Sequence, residues 1–206
     1  MTQWAQQYAH KADAFASTPH WRAEALEIIQ SLGRYPGTVL DFACNTGNFF
    51  RLAQDRFIPG KHKLIGIDIN EFGLAIARKR MPNIQWALTT KDLEDESVDN
   101  IVFMHGINQI EQDILDAVME DLWRVLKCGG RIIVLTHNPI HFKLFSFRNL
   151  FNGYKSDPTI VREPYLWELD QMMYSYGFLK ERSYYFGHGR IPFLRNRIFF
   201  HGFKGY

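Results

Sequence analysis

The sequence predicts an α/β fold: a doubly wound sheet of seven strands, mostly parallel with the last strand antiparallel, and helices on both faces. Three observations predict it. Short apolar runs alternate with stretches of helical periodicity. The first runs are apolar almost throughout, as in strands covered on both faces. The last two runs are joined by a short connection and can pair antiparallel.

The elements follow in order. The segment up to Leu32 is helical in pattern, with Trp21, Ala25, Ile28 and Ile29 on one stripe. Thr38–Ala43 is the first strand, and a helix runs from about Gly47 to Arg56. Lys63–Ile69 is the second strand, and Glu71–Arg80 a helix stopped before Pro82. Ile84–Leu88 and Val98–Met104 are the third and fourth strands. Glu111–Leu126 carries Ile114, Leu115, Val118, Leu122, Val125 and Leu126 at helical spacing, and Arg131–Thr136 is the fifth strand. His141–Phe151 reads as a Phe-rich helix, Lys155–Glu163 as a loop, and Pro164–Tyr176 as a helix closed by Gly177. Lys180–Phe186 and Arg197–Phe203 are the last strands.

Composition bounds the function. With 206 residues, 46% hydrophobic and 22% charged, the chain can bury a core, and wholesale disorder is excluded. No apolar run approaches the roughly 20 residues of a membrane-spanning helix, and the polar N-terminus lacks a signal-peptide core, which implies a cytoplasmic location. Cys44 and Cys128 read as reduced thiols. Charge is uneven: residues 1–136 hold 14 Lys+Arg against 17 Asp+Glu, whereas residues 137–206 hold 10 against 5 and also 18 of the 31 aromatic residues.

The loop after the first strand, Val39-Leu-Asp-Phe-Ala-Cys-Asn-Thr-Gly47, carries the strongest signal. A strand, a tight turn of small residues and a helix start let a ligand lie against backbone at the carboxyl edge of a sheet. Asp68 ends the second strand, where a carboxylate can accept from both hydroxyls of an adenosine ribose; it could instead serve as N-cap of the following helix. The spacing is not Gly-x-Gly-x-x-Gly, so a dinucleotide is the weaker ligand.

Four stretches together resemble the class I S-adenosylmethionine-dependent methyltransferases, of the small-molecule, type 11-like kind. They are the 39–47 loop, Ile65-Gly-Ile-Asp68, Asp95-Glu-Ser-Val-Asp-Asn-Ile-Val102 and Arg124-Val-Leu-Lys-Cys-Gly-Gly-Arg-Ile132, which span about residues 36–136. The resemblance implies a Rossmann-like sheet and S-adenosyl-L-methionine as cofactor, with S-adenosyl-L-homocysteine as product. It also implies a single domain: 1–34 a helical cap, 35–136 the cofactor-binding core, and 137–206 the substrate-side segment with the last strands.

By the same resemblance Asp41, Ala43, Cys44, Asn45 and Gly47 hold the methionine end, Asp68 and Ile69 the ribose side, and Thr90 and Asp92 the adenine region. Met104, His105 and Asn108 lie near the sulfonium, and Tyr8 caps the donor or packs. Ala43 and Asn45 replace two motif glycines; Asn tolerates positive φ. His105 is the candidate catalytic base, or lines the pocket through its backbone. His137, His141, Arg162 and His188 are the candidate substrate residues. His137 and His141 flank Pro139 with no adjacent acid or cysteine, so no metal site is expected.

The implied reaction is methyl transfer to O or N of a small molecule, anionic or aromatic. Arg148, Lys155, Arg162, Arg190, Arg195 and Arg197 are available to rim an anionic acceptor's pocket. The 142–151 stretch mixes Phe with Lys143 and Arg148, which also suits a membrane surface. Asp157–Glu163 with the following helix is similar to the tail of small-molecule methyltransferases. Nucleic acid is not expected at a net charge of +2. The rival readings are a non-catalytic donor-binding protein and an RNA or protein methyltransferase.

Overall fold

The computed structural model describes residues 3–33, 36–141, 159–187 and 190–205. Two helices, α1 (Gln3–Ala16) and α2 (Pro19–Leu32), precede the sheet. The sequence pattern reads them as one helical segment. The break arises at Thr18, whose Oγ1 accepts from the Trp21 N–H at 3.3 Å while Pro19 occupies the first turn. The strands are β1 (Gly37–Phe42), β2 (His62–Ile67), β3 (Gln85–Ala87), β4 (Val98–Met104), β5 (Leu126–His137), β6 (Phe178–Phe186) and β7 (Arg197–Lys204). Between them lie α3 (Asn48–Ala53), α4 (Glu71–Arg80), α5 (Gln112–Val125) and α6 (Leu166–Ser175).

The sheet order is β3-β2-β1-β4-β5-β7-β6. β1 pairs in parallel with β2 and β4, and β4 with β5; β7 inserts antiparallel between β5 and β6. The predicted architecture is therefore observed. β5 starts at Leu126 rather than Arg131, because the Gly-rich turn joins the ladder through a register shift between Val98 and Asn100. α3 ends at Ala53 and tightens into a 3-10 turn at Gln54–Arg56, shorter than the predicted helix.

Alternation along the central strands divides the core in two. Leu40, Ile101, Phe103, Ile132 and Val134 pack with Leu115, Leu122, Leu169 and Met173 of α5 and α6. Val39, Val102, Ile133 and Leu135 pack with Trp21, Ala25, Ile28, Phe49 and Phe50 of α2 and α3. Helices thus cover both faces, and the strand ends of β1, β2, β4 and β5 stay free to build a site. No helix among the described residues is long and apolar enough to cross a membrane.

Candidate functional site

The turn after β1 is held open by backbone strain. Ala43, Asn45 and Gly47 have φ of 62°, 45° and 73°. At Gly47 a Cβ would also stand 2.6 Å from the Trp86 ring, so only glycine fits. Asn45 adopts the left-handed conformation expected of it. Ala43 adopts it too, which costs an L-residue about 1–2 kcal/mol.

Asp68 ties this turn to β2. Its Oδ2 accepts from the Asn45 N–H at 2.8 Å and its Oδ1 from the Asn70 N–H at 2.7 Å. The cap of α4 is Asn70, whose Oδ1 accepts from the Gly73 N–H at 3.2 Å. The alternative reading of Asp68 as that helix's N-cap is thereby corrected: Asp68 lies two residues too early. Each carboxylate oxygen keeps a free lone pair. Ile69, the next residue, is 84% exposed, an unusual position for isoleucine beside a buried carboxylate.

Asp41 lies buried in β1, and its Oδ2 has no hydrogen-bond partner among the described residues. Burial, reinforced by the Asp68 charge, pushes its carboxyl well above the usual range. A cationic group would satisfy it. Cys44 is buried beside both acids; burial and their charges push its thiol up, so it is a packed thiol rather than a nucleophile.

Helix α1 crosses the loops of this edge. Tyr8 hydroxyl donates to Gln109 Oε1, and Asn70 Nδ2 donates to the Ala5 carbonyl at 3.1 Å. Asp13 accepts from Thr46 Oγ1 at 2.5 Å, Asn48 Nδ2 at 2.9 Å and Arg80 through both Nη1 and Nη2. Thr90 points its hydroxyl to Asp121 of α5 at 2.8 Å, and Asp92 is exposed.

Met104, the last residue of β4, is half-buried, and Asn108 beyond it is fully buried. His105 has φ of 60°, and its N–H donates to the Leu135 carbonyl at 2.8 Å. Its Nε2 lies 2.7 Å from Oε2 of Glu24, and Oε1 of Glu24 lies 2.7 Å from Nε of Arg197. The His137 ring lies 5.3 Å from the His105 ring, and its Nδ1 contacts Asn108 Nδ2 at 3.1 Å. A cleft of about 290 Å³ abuts Glu24, lined by His20, Phe186, Arg195 and Asn196 among others.

The predicted residues 41–47, Asp68, His105, Asn108 and His137 thus meet at one edge. His141 lies further along, with Nδ1 2.8 Å from the Leu194 carbonyl. Arg162 does not face the cleft. Its Nη1 donates to Gln112 Oε1 at 2.6 Å in a separate groove between α5 and α6, lined also by Asp116, Glu163 and Glu168. His188, Arg148, Lys155 and the 142–151 stretch lie outside the described residues. Arg197 is no pocket rim: it is 4% exposed and spent on Glu24.

Sequence reasoning missed Glu24 and Asp13. A signal for Glu24 existed: it falls on the same helical stripe as Trp21, Ala25 and Ile28, where a lone carboxylate demands a partner.

Residues 39–130 match a family model described as a methyltransferase domain. The chain is 35% identical over 128 residues to a demethylmenaquinone methyltransferase from Tropheryma whipplei, covering 59% of this chain and 49% of that protein. It is 28% identical over 192 residues to a ubiquinone/menaquinone biosynthesis C-methyltransferase from Geobacter sulfurreducens, covering 80% and 73%. The chain spans about half the length of the demethylmenaquinone methyltransferases it matches, 48% and 49% in two of them. A solved S-adenosylmethionine-dependent methyltransferase from Archaeoglobus fulgidus shares the fold at a TM-score of 0.69 and 17% identity, over 88% of this chain and 93% of that one.

Proposed function

From the match of residues 39–130 to a methyltransferase-domain model and the shared fold, we propose that the chain is a class I S-adenosylmethionine-dependent methyltransferase that acts on a small-molecule acceptor held at the carboxyl edge of the sheet. The carrying observation is Asp41. A buried carboxylate oxygen without a partner, under a turn strained open, fits the ammonium end of the donor. Asp68, fixed by two backbone amides, would take the ribose hydroxyls, and Ile69 offers an apolar surface beside it.

The division 1–34, 35–136 and 137–206 then becomes cap, donor half and acceptor half. The bound donor supplies an electrophilic methyl on a sulfonium. The chain's own work is to hold the acceptor in line and to exclude water. The oxygen and nitrogen acceptors suggested by the sequence are joined by a ring carbon, since the relatives are named for quinones and C-methylation.

Calorimetry with S-adenosylhomocysteine tests this reading. Saturable binding to one site is expected, and Asp68→Ala should weaken it at least tenfold, about 1.4 kcal/mol. No binding by the unsubstituted chain, or an unchanged affinity in the variant, would end it.

A further inference from the structure

We propose that His105 is the general base for a protonated hydroxyl acceptor, with Glu24 as its positioning residue and Arg197 as the group that keeps Glu24 ionised. The proposal rests on the methyl-transfer reading above and names the acceptor class of the same site.

Geometry fixes the tautomer. An ionised carboxylate only accepts, so the nitrogen 2.7 Å from Glu24 Oε2 must carry a hydrogen. Nε2 is that nitrogen, which leaves the lone pair of a neutral imidazole on Nδ1. Nδ1 is buried and has no hydrogen-bond partner among the described residues. A ring whose one nitrogen is clamped and whose other nitrogen is vacant is prepared for a group that the described residues do not supply.

Placement agrees. His105 sits in a left-handed conformation that costs of order 1–3 kcal/mol and persists only where the surroundings over-determine it. A Cβ on the next residue, Gly106, would stand 2.7 Å from the Ala43 Cβ, so the backbone just after His105 is pressed against the turn after β1. The ring is packed by Phe15 of α1, centroids 5.8 Å apart, and by His137 of β5. The titratable groups facing it are Glu24 of α2, Arg197 of β7 and His137. Arg197 stands opposite His137 in the β5–β7 ladder, so the sheet itself delivers the guanidinium to Glu24.

Charge selects the acceptor. Glu24 is 2% exposed and Arg197 4%, and with neutral imidazole the group sums to zero. Within this group Arg197 is balanced by Glu24, so the vacant imidazole nitrogen suits a neutral hydroxyl, phenolic or enolic, rather than the anionic acceptor that the basic C-terminal third suggests. In the reaction the O–H proton goes to Nδ1 and the freed oxygen pair forms the bond to the methyl carbon. The C–S pair stays on sulfur as a thioether, and the imidazolium formed sits against Glu24 until water takes the proton.

Burial lowers the His105 pKa, and Glu24 pulls it back part of the way. Burial opposes the Glu24 charge, but the His105 hydrogen bond and Arg197 outweigh it and hold its carboxyl below the usual range. Removing the Glu24 charge should therefore make His105 a weaker base.

The test uses the ¹⁵N-labelled chain with S-adenosylhomocysteine, its imidazole signals assigned with His105→Gln and His137→Asn. Expected at neutral pH is a protonated Nε2 and an unprotonated Nδ1, with a midpoint that falls by about one pH unit in Glu24→Gln, a tenfold loss of proton affinity. A second probe, 4-nitrophenol, should ionise at lower pH when added to that complex than when free, and this shift should vanish in His105→Gln. A proton on Nδ1 in the unsubstituted protein, a midpoint insensitive to Glu24→Gln, or no nitrophenol shift overturns the proposal. S-adenosylhomocysteine affinity is measured in parallel: if it is intact while these fail, only the base assignment falls; if it is absent from the outset, methyl transfer itself falls.

Discussion

At the scale of single residues, the proposed donor edge is made of positions that are poor for stability. Ala43, Asn45 and His105 all hold positive φ, and Asp41 is a buried acid with a vacant oxygen. Such residues persist where a ligand repays them. Asp41 makes this measurable. Its folded pKa is raised, by burial first and by Asp68 second. The folded state therefore keeps a proton that the unfolded chain releases near pH 3.9. Stability from that proton is complete below this value and drains away as pH rises towards the folded pKa. Asp41→Asn should remove the drain. Its ligand-free melting temperature at pH 7 should exceed that of the parent, and it should vary less between pH 4 and 7. Affinity for S-adenosylhomocysteine should drop at least tenfold in the same variant, because the ammonium loses its carboxylate. A melting series against pH and one calorimetric titration check both. A variant that melts lower at pH 7 would contradict the vacancy of Asp41 as read here.

At the scale of elements, α1 is a cap fastened by polar contacts more than by packing: only Ala9 and Ala16 are buried in it. Its strongest fastening is Asp13, whose carboxyl meets Thr46, Asn48 and Arg80. Burial opposes the Asp13 charge, yet these hydrogen bonds outweigh it and depress its pKa. A depressed acid contributes stability above its unfolded pKa and loses it only as pH falls below, so the fastening is whole throughout the neutral range. Asp13 is partly solvated, which limits the pair to about 1 kcal/mol or less. Asp13→Ala should thus leave the melting temperature nearly unchanged while amide exchange accelerates across 3–16 alone. Exchange measured by mass spectrometry on overlapping peptides would show it; acceleration spread equally through β1 and β4 would refute a local fastening. This element also shows where sequence reading stops. The apolar stripe of α2 and the strand runs were legible because burial imposes a period. Asp13 and Glu24 act through partners 33 to 173 residues away in Thr46 and Arg197, and no periodicity reports such pairs.

At the scale of the whole molecule, the basic, ring-rich last third divides between core and site. Phe178, Phe199 and Phe200 are fully buried, whereas Arg197 turns inward to serve a residue of the first cap. The strands and the antiparallel pairing of the last two were readable from the alternating pattern, but the meeting of α2, β4, β5 and β7 at His105 comes from the insertion of β7 between β5 and β6, which no local motif encodes. That closure has a thermodynamic consequence. The residues proposed to hold the donor come from β1, β2, β4 and the cap, so a ligand there would bind the assembled sheet and nothing in the unfolded chain. Mass action then stabilises the fold by about 2.7 kcal/mol at a ligand concentration 100 times its dissociation constant. For a domain of this size each kcal/mol raises the melting temperature by about 2–4 °C, so S-adenosylhomocysteine should raise it by roughly 5–10 °C. The rise should grow logarithmically with ligand and shrink in Asp68→Ala, where one anchor is lost. Scanning fluorimetry over a ligand series reads it directly. A melting temperature that stays flat over concentrations at which calorimetry shows saturation would mean that the ligand also binds unfolded chain, and that the edge is not the preformed site described above.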